Sequence, residues 1–468
     1  MRILLHGFGS FPVVFWHLIR HARAVAPNIE WAIILSSDHY EKLLVELLGP
    51  DRVAVLNQSS SALTGCSESL KYPGALFRDI EAEKRTYKHA PSNKQYNRAM
   101  SMYVQARRFI EGFSPTHALV SQVEGLDGKI FIAAAREYGA SVAVPTGCRN
   151  LGGYYFSPDD FETLPAYAST SGSDLYFKEA ESFLQKFQES PLPARSDSTS
   201  DGDVLPAFVP PFPMRLSHAI RRWLKAPDSF QWDFLRSSVL NNLPVFRDLI
   251  WAARRAKNLR LCDIATAEGL PKRFIYYPLQ YSPESSINTP APYFLDQMRA
   301  VDAIRFAMPS DCVLVVKEHP GCILIRPASF VKRLQKTAGV MVADHRISSN
   351  ALIKQAGLTI SVTGTATLEA LLLGRPAITL GHSLASPFLG GVCPISDLAA
   401  RIESLFGKPL LRSKQVEAVA TLLSVKHDFV FGSPGMIGEP VLRSNNIRKF
   451  FESYMDHCRR EMDYAKSE

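Results

Sequence analysis

A hydroxyl-rich turn around a single glycine is the strongest chemical signal in the sequence. An apolar, strand-like run precedes Thr363, Gly364 and Thr365, and a helix-like pattern follows them directly. The free N–H groups and positive dipole at the start of a helix favour a phosphate, and threonine hydroxyls add donors. Glu369 lies about one helical turn further on, within reach of ribose hydroxyls. The turn therefore predicts a phosphate site, although simple helix capping by Thr365 would require no ligand.

A histidine follows another predicted strand of the same sheet. Lys317 and His319 lie two residues apart at the end of this strand, and Pro320 then breaks the extended chain. A histidine at the carboxyl end of a strand can donate to a phosphate oxygen or protonate a leaving group. A lone histidine is more often structural, so this interpretation depends on His319 sharing a sheet edge with the threonine turn.

Two glutamates are candidates for nucleophilic or acid/base chemistry. Glu284 follows the first strand of the second predicted domain, where Gln280 could orient a donor or acceptor, but Glu284 could equally cap the next helix. Glu124 follows a strand of the first predicted domain, and nearby Asp127 is expected to cap a helix. Two carboxylates that face each other across a cleft suit glycosyl chemistry.

Most of the positive charge is concentrated in residues 215–260. The whole chain carries +8, and this segment has ten basic residues against three acidic ones, a net +7. Its tryptophans and basic residues favour an anionic membrane surface or an acceptor, and a solvated helical face is the commoner alternative. The densest part of this patch consists of Arg254, Arg255, Lys257 and Arg260. The sequence contains no recognised nucleic-acid-binding module, so we expect no nucleic acid partner.

Composition restricts the class of protein. The 468 residues are 46% hydrophobic and 21% charged, which is enough apolar material for a large core and excludes a mainly disordered chain. Seven scattered cysteines predict free thiols, and neither they nor the histidine spacing suggest a metal site, so we expect no cofactor. No apolar run reaches the length of a membrane span, and the N-terminus reads as a strand with a glycine turn rather than a signal peptide. We expect a cytoplasmic protein.

Alternating strands and helices must position these residues. Strands are predicted at 3–5, 31–35, 51–56, 117–121 and 141–145, and again at 274–277, 313–317, 340–343, 358–362 and 376–380. The alternation stops after Gly152 and resumes at Arg273. This pattern predicts an α/β fold of two Rossmann-like domains that face a cleft, with a mostly helical insertion between them. The expected boundaries are 1–152, 153–270 for the linker and insertion, 271–425, and 426–468 for a tail whose helix covers 446–459.

Three segments, in this order and spacing, resemble the capsule polysaccharide biosynthesis family: YYPLQYSPESS, VKEHPG and SVTGTATLEALLLGRPAITLG. The family includes bacterial transferases for 3-deoxy-manno-octulosonic acid (Kdo). The resemblance covers mainly residues 273–381. It implies the glycosyltransferase B architecture and, as in the Kdo members, a CMP-linked donor.

The resemblance also implies roles for individual residues. His319, with Lys317 behind it, would contact the donor phosphate, and Thr363, Gly364 and Thr365 would form the phosphate turn. Gln280 and Glu284 occupy the place of a glutamine followed by the acidic residue that attacks the anomeric carbon in retaining Kdo enzymes. An aspartate is expected there, so Glu284 departs from the family pattern. Glu124 would be the acid/base residue.

The sequence therefore predicts a metal-independent glycosyltransferase of bacterial capsule or surface polysaccharide synthesis. Its expected partners are a nucleotide-sugar donor and a glycan or glycolipid acceptor, with a peripheral contact at the inner membrane. Two alternatives remain open: a UDP-sugar epimerase of the same layout, and a non-catalytic subunit of a polysaccharide assembly complex.

Overall fold

The computed structural model describes residues 1–56, 71–82, 92–123, 125–168, 174–191, 261–281, 285–322 and 326–467. They group into two compact units. The first combines the described parts of Met1–Ala168 and Val425–Glu468, and the second contains the described residues from 174 to 424. Each unit is built on a mainly parallel β-sheet with helices, so the predicted fold class of two Rossmann-like α/β domains is confirmed.

The sheet of the first unit has the strand order β3-β2-β1-β4-β5-β6. The strands are β1 (Arg2–Gly7), β2 (Glu30–Leu35), β3 (Val53–Val55), β4 (His117–Val120), β5 (Ser141–Gly147) and β6 (Tyr154–Ser157). The first five are parallel, and β6 pairs antiparallel with β5. Sequence reasoning missed β6, because it ended the alternation after Gly152 and expected no hairpin there.

The sheet of the second unit has the order β11-β10-β7-β8-β9 and is parallel throughout. Its strands are β7 (Phe274–Pro278), β8 (Val313–Lys317), β9 (Val340–Ala343), β10 (Leu358–Ser361) and β11 (Ala377–Thr379). From the central β7 the chain adds β8 and β9 on one side, and then returns to the other side for β10 and β11. The strand order therefore reverses between β7 and β10. Ligands of open parallel sheets bind beyond the carboxyl ends of the strands at such a point.

Helices flank these sheets. In chain order they are α1 (Phe11–Val25), α2 (Glu41–Leu48), α3 (Leu76–Ala82), α4 (Ser92–Phe113), α5 (Leu126–Tyr138), α6 (Asp174–Glu189), α7 (Ser285–Asn288), α8 (Met298–Ala307), α9 (Ala328–Gln335), α10 (Ser349–Gln355), α11 (Ala366–Leu372), α12 (Leu398–Leu405), α13 (Arg412–Val425), α14 (Pro434–Ile437) and α15 (Ser444–Ser467). No helix in the described residues is both long and apolar enough to cross a membrane.

Alternate side chains of the first sheet enter two separate cores. Ile3 and Leu5 pack in the core that contains α1 and Phe450 of α15, whereas Leu4 packs in the core that contains α4 and α5. This division follows from the period of two along a strand, and it requires that both faces of the sheet are covered. The last helix, α15, is thereby part of the first unit.

Candidate functional site

The ends of two neighbouring strands meet at the point where the second sheet reverses its strand order. Gln280 follows β7, and Ser361 is the last residue of β10. The carboxamide Nε2 of Gln280 donates to Ser361 Oγ at 2.8 Å, and both side chains are buried. A polar pair thus occupies the carboxyl edge of the sheet, where a ligand is expected.

Gln297 fixes the backbone of Gln280 in place. Its Oε1 accepts the Gln280 backbone N–H at 2.7 Å, and its Nε2 donates to the Gln280 carbonyl at 3.0 Å. Gln297 is fully buried at the start of α8. Its carboxamide pairs with the backbone N–H and carbonyl of Gln280, as a neighbouring strand would in a β-sheet. Sequence reasoning missed Gln297, and its only sequence signal is a polar residue beside the apolar stripe of α8.

The threonine turn is built on Ser361. Ser361 Oγ accepts the Gly364 N–H at 3.1 Å, and Thr367 Oγ1 donates to the Gly364 carbonyl at 3.1 Å. A β-carbon on residue 364 would lie 2.8 Å from Gln280 Nε2 and 2.8 Å from Ser361 Oγ. The close approach of the Gln280 carboxamide to the turn therefore requires a glycine.

Two hydroxyls of the turn are not used by the helix behind it. Thr365 is the residue before α11 but makes no side-chain capping hydrogen bond, so the alternative of plain capping is not what is observed. Thr363 is buried, and its Oγ1 has no hydrogen-bond partner among the described residues. A buried hydroxyl without a partner is costly, and Thr363 lies beyond the carboxyl end of β10, where a ligand of an open parallel sheet can supply one.

Lys317, at the end of β8, is buried and faces the loop after β9. Its Nζ donates to the Ile347 carbonyl and to Ser349 Oγ, both at 2.8 Å. Burial lowers the pKa of Lys317 to about 8, and the charges of Glu369 and Asp344 partly oppose this shift. Lys317 and the buried Glu369 are therefore electrostatic neighbours. A contact of either side chain with a ligand stays a prediction.

His319 lies at the surface, beside the loop that carries Gln280. Its ring packs edge-on against Tyr281, with 5.4 Å between the ring centroids. Its backbone N–H donates to Glu318 Oε1 at 2.8 Å, which holds the turn after β8. The structure thus brings the segments containing Gln280, His319 and Thr363 to one edge of one sheet, because they follow β7, β8 and β10.

Several predicted residues lie outside the described residues. Glu284 and Glu124 are among them, as is the basic patch Arg254, Arg255, Lys257 and Arg260. Their predicted roles stay predictions. The described residues contain no group of three or more histidine, cysteine, aspartate or glutamate side chains placed to hold a metal ion.

The first unit has a buried polar cluster at its own reversal of strand order, between β1 and β4. His6 Nε2 lies 3.3 Å from Asp127 Oδ2, His6 Nδ1 lies 3.3 Å from Ser121 Oγ, and Ser36 donates to Asp127. Burial alone would raise the pKa of Asp127, but the contacts with His6 and Ser36 lower it to about 2. The expectation that Asp127 caps α5 is wrong, since Gly125 holds the capping position. Sequence reasoning also missed His6 and Ser36.

Part of the chain matches a known family model. Residues 249–386 match the family model described as "Capsule polysaccharide biosynthesis protein". The match includes all three segments that carry the resemblance, and with them Gln280, His319 and the threonine turn. The resemblance of the chain to the capsule polysaccharide biosynthesis family is thereby confirmed over these residues. No curated protein matches the chain.

Solved structures with similarity to the chain include two of KpsC from Thermosulfurimonas dismutans. The β-Kdo 2,7 transferase shares 14% identity at a TM-score of 0.37, and covers 81% of this chain and 97% of its own. The β-Kdo 2,4 transferase shares 13% identity at a TM-score of 0.34, and covers 72% and 86%. A UDP-GlcNAc 2-epimerase from Neisseria meningitidis shares 12% identity at a TM-score of 0.23, and covers 97% and 100%. Similarity at this level does not define a substrate.

Proposed function

We propose that the protein is a metal-independent glycosyltransferase of capsule or surface polysaccharide synthesis. Its donor is a nucleotide-activated sugar, CMP-Kdo or a related CMP-linked ulosonic acid, and its acceptor is a glycan or glycolipid. Two observations support the proposal. The family match covers the sheet edge that carries the candidate site, and that edge has the polar groups that a sugar nucleotide requires.

The buried Thr363 hydroxyl carries the proposal. It belongs to a turn that Gln280 and Ser361 hold rigidly, and it has no hydrogen-bond partner among the described residues. A donor phosphate at this turn would accept the hydroxyl hydrogen and so remove the penalty of leaving it unpaired.

The proposed chemistry assigns a role to each charged residue. Glu284 attacks the anomeric carbon, and the bond to the phosphate oxygen breaks as the nucleotide leaves with its electron pair. His319 stabilises the charge on the phosphate as it departs. Glu124 then takes the proton of the acceptor hydroxyl, whose oxygen attacks the same carbon and breaks the bond to Glu284, so that the free carboxylate is restored. His319→Ala should therefore lower the transfer rate sharply without unfolding the protein, because the histidine is exposed.

A threonine-to-valine pair tests the nucleotide site. Thr363→Val removes the hydroxyl and keeps the shape, and Thr359→Val is the matched control, since Thr359 is a buried threonine of the same strand segment whose hydroxyl is also unpaired. CMP, UDP and GDP are first compared by thermal stabilisation. Calorimetry with the best nucleotide should then show affinity about tenfold lower for Thr363→Val, roughly 1.4 kcal/mol, and unchanged for Thr359→Val. Equal affinities for both variants would remove the turn from the site.

Transfer itself needs a separate assay. The protein is incubated with CMP-Kdo with and without a glycan acceptor, and we expect release of CMP that depends on the acceptor. Conversion of a UDP-sugar without any acceptor would instead identify an epimerase. Failure of all three nucleotides to stabilise the protein would contradict the proposed function.

A further inference from the structure

Arg326 bridges the two loops that carry Gln280 and His319. Its Nε lies 2.6 Å from Glu318 Oε2, and its Nη2 lies 3.1 Å from Glu318 Oε1 and 2.9 Å from the Gln280 carbonyl. The two side chains of the ion pair are only 10% and 11% exposed. One guanidinium group therefore contacts both the residue next to His319 and the backbone of Gln280.

Both ends of this bridge continue into the candidate site. Glu318 Oε1 also accepts the backbone N–H of His319 at 2.8 Å, so the carboxylate holds the histidine backbone. The Gln280 carboxamide donates to Ser361, on which the threonine turn is built. A movement of Arg326 would thus also displace His319 and the threonine turn.

The surroundings of Arg326 limit its alternative conformations. Its guanidinium carbon lies 5.0 Å from the ring centroid of Phe330, at the start of α9. The buried Tyr277 is an electrostatic neighbour: burial raises the pKa of Tyr277 well above its usual value, and the charge of Arg326 partly opposes this shift. The planar guanidinium can satisfy the Glu318 carboxylate and a carbonyl together, whereas the single ammonium of lysine lacks this fork geometry.

We propose that Arg326 is a positioning residue. It sets the distance and orientation between the loop that carries Gln280 and the loop that carries His319, and so determines how tightly the donor phosphate is bound. The proposal rests on the proposed function. Arg326 need not touch the donor, because it acts through Glu318 and the Gln280 carbonyl. A purely stabilising role is a weaker explanation, since buried ion pairs generally contribute little to stability compared with apolar packing.

Arg326→Lys tests the proposal, because lysine keeps the positive charge but cannot bond the Glu318 carboxylate and the Gln280 carbonyl together. Arg412→Lys is the matched control: Arg412 also contacts a carboxylate, Glu181, through Nε and Nη2 in the same unit, but away from the site. We expect the nucleotide affinity of Arg326→Lys to fall about tenfold, measured with CMP by calorimetry, and that of Arg412→Lys to stay unchanged. In the transfer assay the loss should appear in the KM of the donor and in kcat, but not in the KM of the acceptor.

Hydrogen exchange of the ligand-free protein provides a second measurement. The backbone N–H groups of Gln280 and His319 are both hydrogen-bonded, to Gln297 and Glu318 respectively. Arg326→Lys should speed the exchange of both amides while the exchange of the β-strands stays as in the wild type. If Arg326→Lys does not fold, Glu318→Gln, which keeps the shape and removes the charge, should show the same two effects in weaker form.

The outcomes separate this proposal from the proposed function. Wild-type affinity and wild-type exchange in the Arg326 variant would overturn the positioning role and leave the nucleotide site intact. If the wild-type protein bound no nucleotide, the proposed function would fail. The exchange rates of the ligand-free variant would still decide whether Arg326 couples the two loops.

Discussion

Gln280 and Ser361 are 81 positions apart in the chain, yet a 2.8 Å hydrogen bond joins their side chains at the edge of the second sheet. The bond exists because β7 and β10 are neighbours although three βα connections separate them in sequence. It supports the turn that carries the Thr363 and Thr365 hydroxyls.

Ser361→Ala should weaken both the fold and the site. The substitution leaves the Gly364 N–H and the Gln280 Nε2 without their acceptor, and an unpaired buried donor costs about 1–3 kcal/mol. Urea unfolding should show a loss of this size, and CMP affinity should fall as well. Ser404→Ala is the control, since Ser404 is exposed and bonds only the Arg401 carbonyl within α12. Equal stability of the two variants would contradict the role of Ser361.

Gly364→Ala should displace the Gln280 carboxamide. The new β-carbon would come within 2.8 Å of both Gln280 Nε2 and Ser361 Oγ, so the hydrogen bond between them must lengthen or break. We expect a loss of about 1–3 kcal/mol in the free energy of unfolding, as for other overpacked sites. Gly112→Ala, where nothing lies within 4 Å of the added carbon, should be neutral or slightly stabilising. A crystal structure of Gly364→Ala with an unmoved Gln280 would contradict the packing argument.

The buried Lys317 should make the free energy of unfolding increase as the pH rises through the alkaline range. Burial lowers the pKa of Lys317 from 10.5 to about 8, so between these values the unfolded chain binds more protons than the folded one. The cost of burying the charge is therefore present below pH 8 and is relieved as the pH rises towards 10. Urea unfolding from pH 7 to 9.5 should show a steeper rise for the wild type than for Lys317→Met. Parallel curves would mean that Lys317 is not desolvated.

Asp127 should contribute stability that is lost in acid. Contacts with His6 and Ser36 lower the pKa of Asp127 to about 2 from an ordinary 3.8. The folded state therefore gains stability from the carboxylate above pH 4, and this gain disappears as the pH falls towards 2. At pH 7 the free energy of unfolding of Asp127→Asn should be lower than that of the wild type. Acidification should lower it by less than it lowers that of the wild type. Asp51→Asn, at an exposed position, should follow the wild-type curve.

The basic segment should bind anionic membranes. Vesicles of phosphatidylcholine with phosphatidylserine should sediment the protein at low salt, because each basic group near the surface contributes about 1 kcal/mol. Replacing Arg254, Arg255, Lys257 and Arg260 by glutamine should release it, whereas catalysis with a soluble acceptor should be unchanged. Binding that persists at high salt, or in the glutamine variant, would contradict an electrostatic contact.

Local patterns predicted most of the strands and the type of fold. The strands 313–317 and 340–343 have the predicted bounds, because apolar runs between turn residues are unambiguous at that length. The helix after β7 and α7 begins at Met298, after a short 3₁₀ turn at Pro292–Leu295 whose proline and aromatic residues give no clear helical period. The last helix is longer than predicted, Ser444–Ser467 rather than 446–459. The residues at its ends are mostly polar, so the helical spacing of apolar residues is not visible there.

The residue types of the candidate site could be predicted, but not their connections. By itself, the sequence determined two α/β domains, a threonine turn before α11 and a histidine after β8, since each of these depends on neighbours in the chain. The tertiary structure decided that β10 lies beside β7, that Gln297 and Arg326 hold Gln280, and that His6 pairs with Asp127. Those contacts join residues far apart in sequence, so they arise only from the order in which the strands assemble into a sheet.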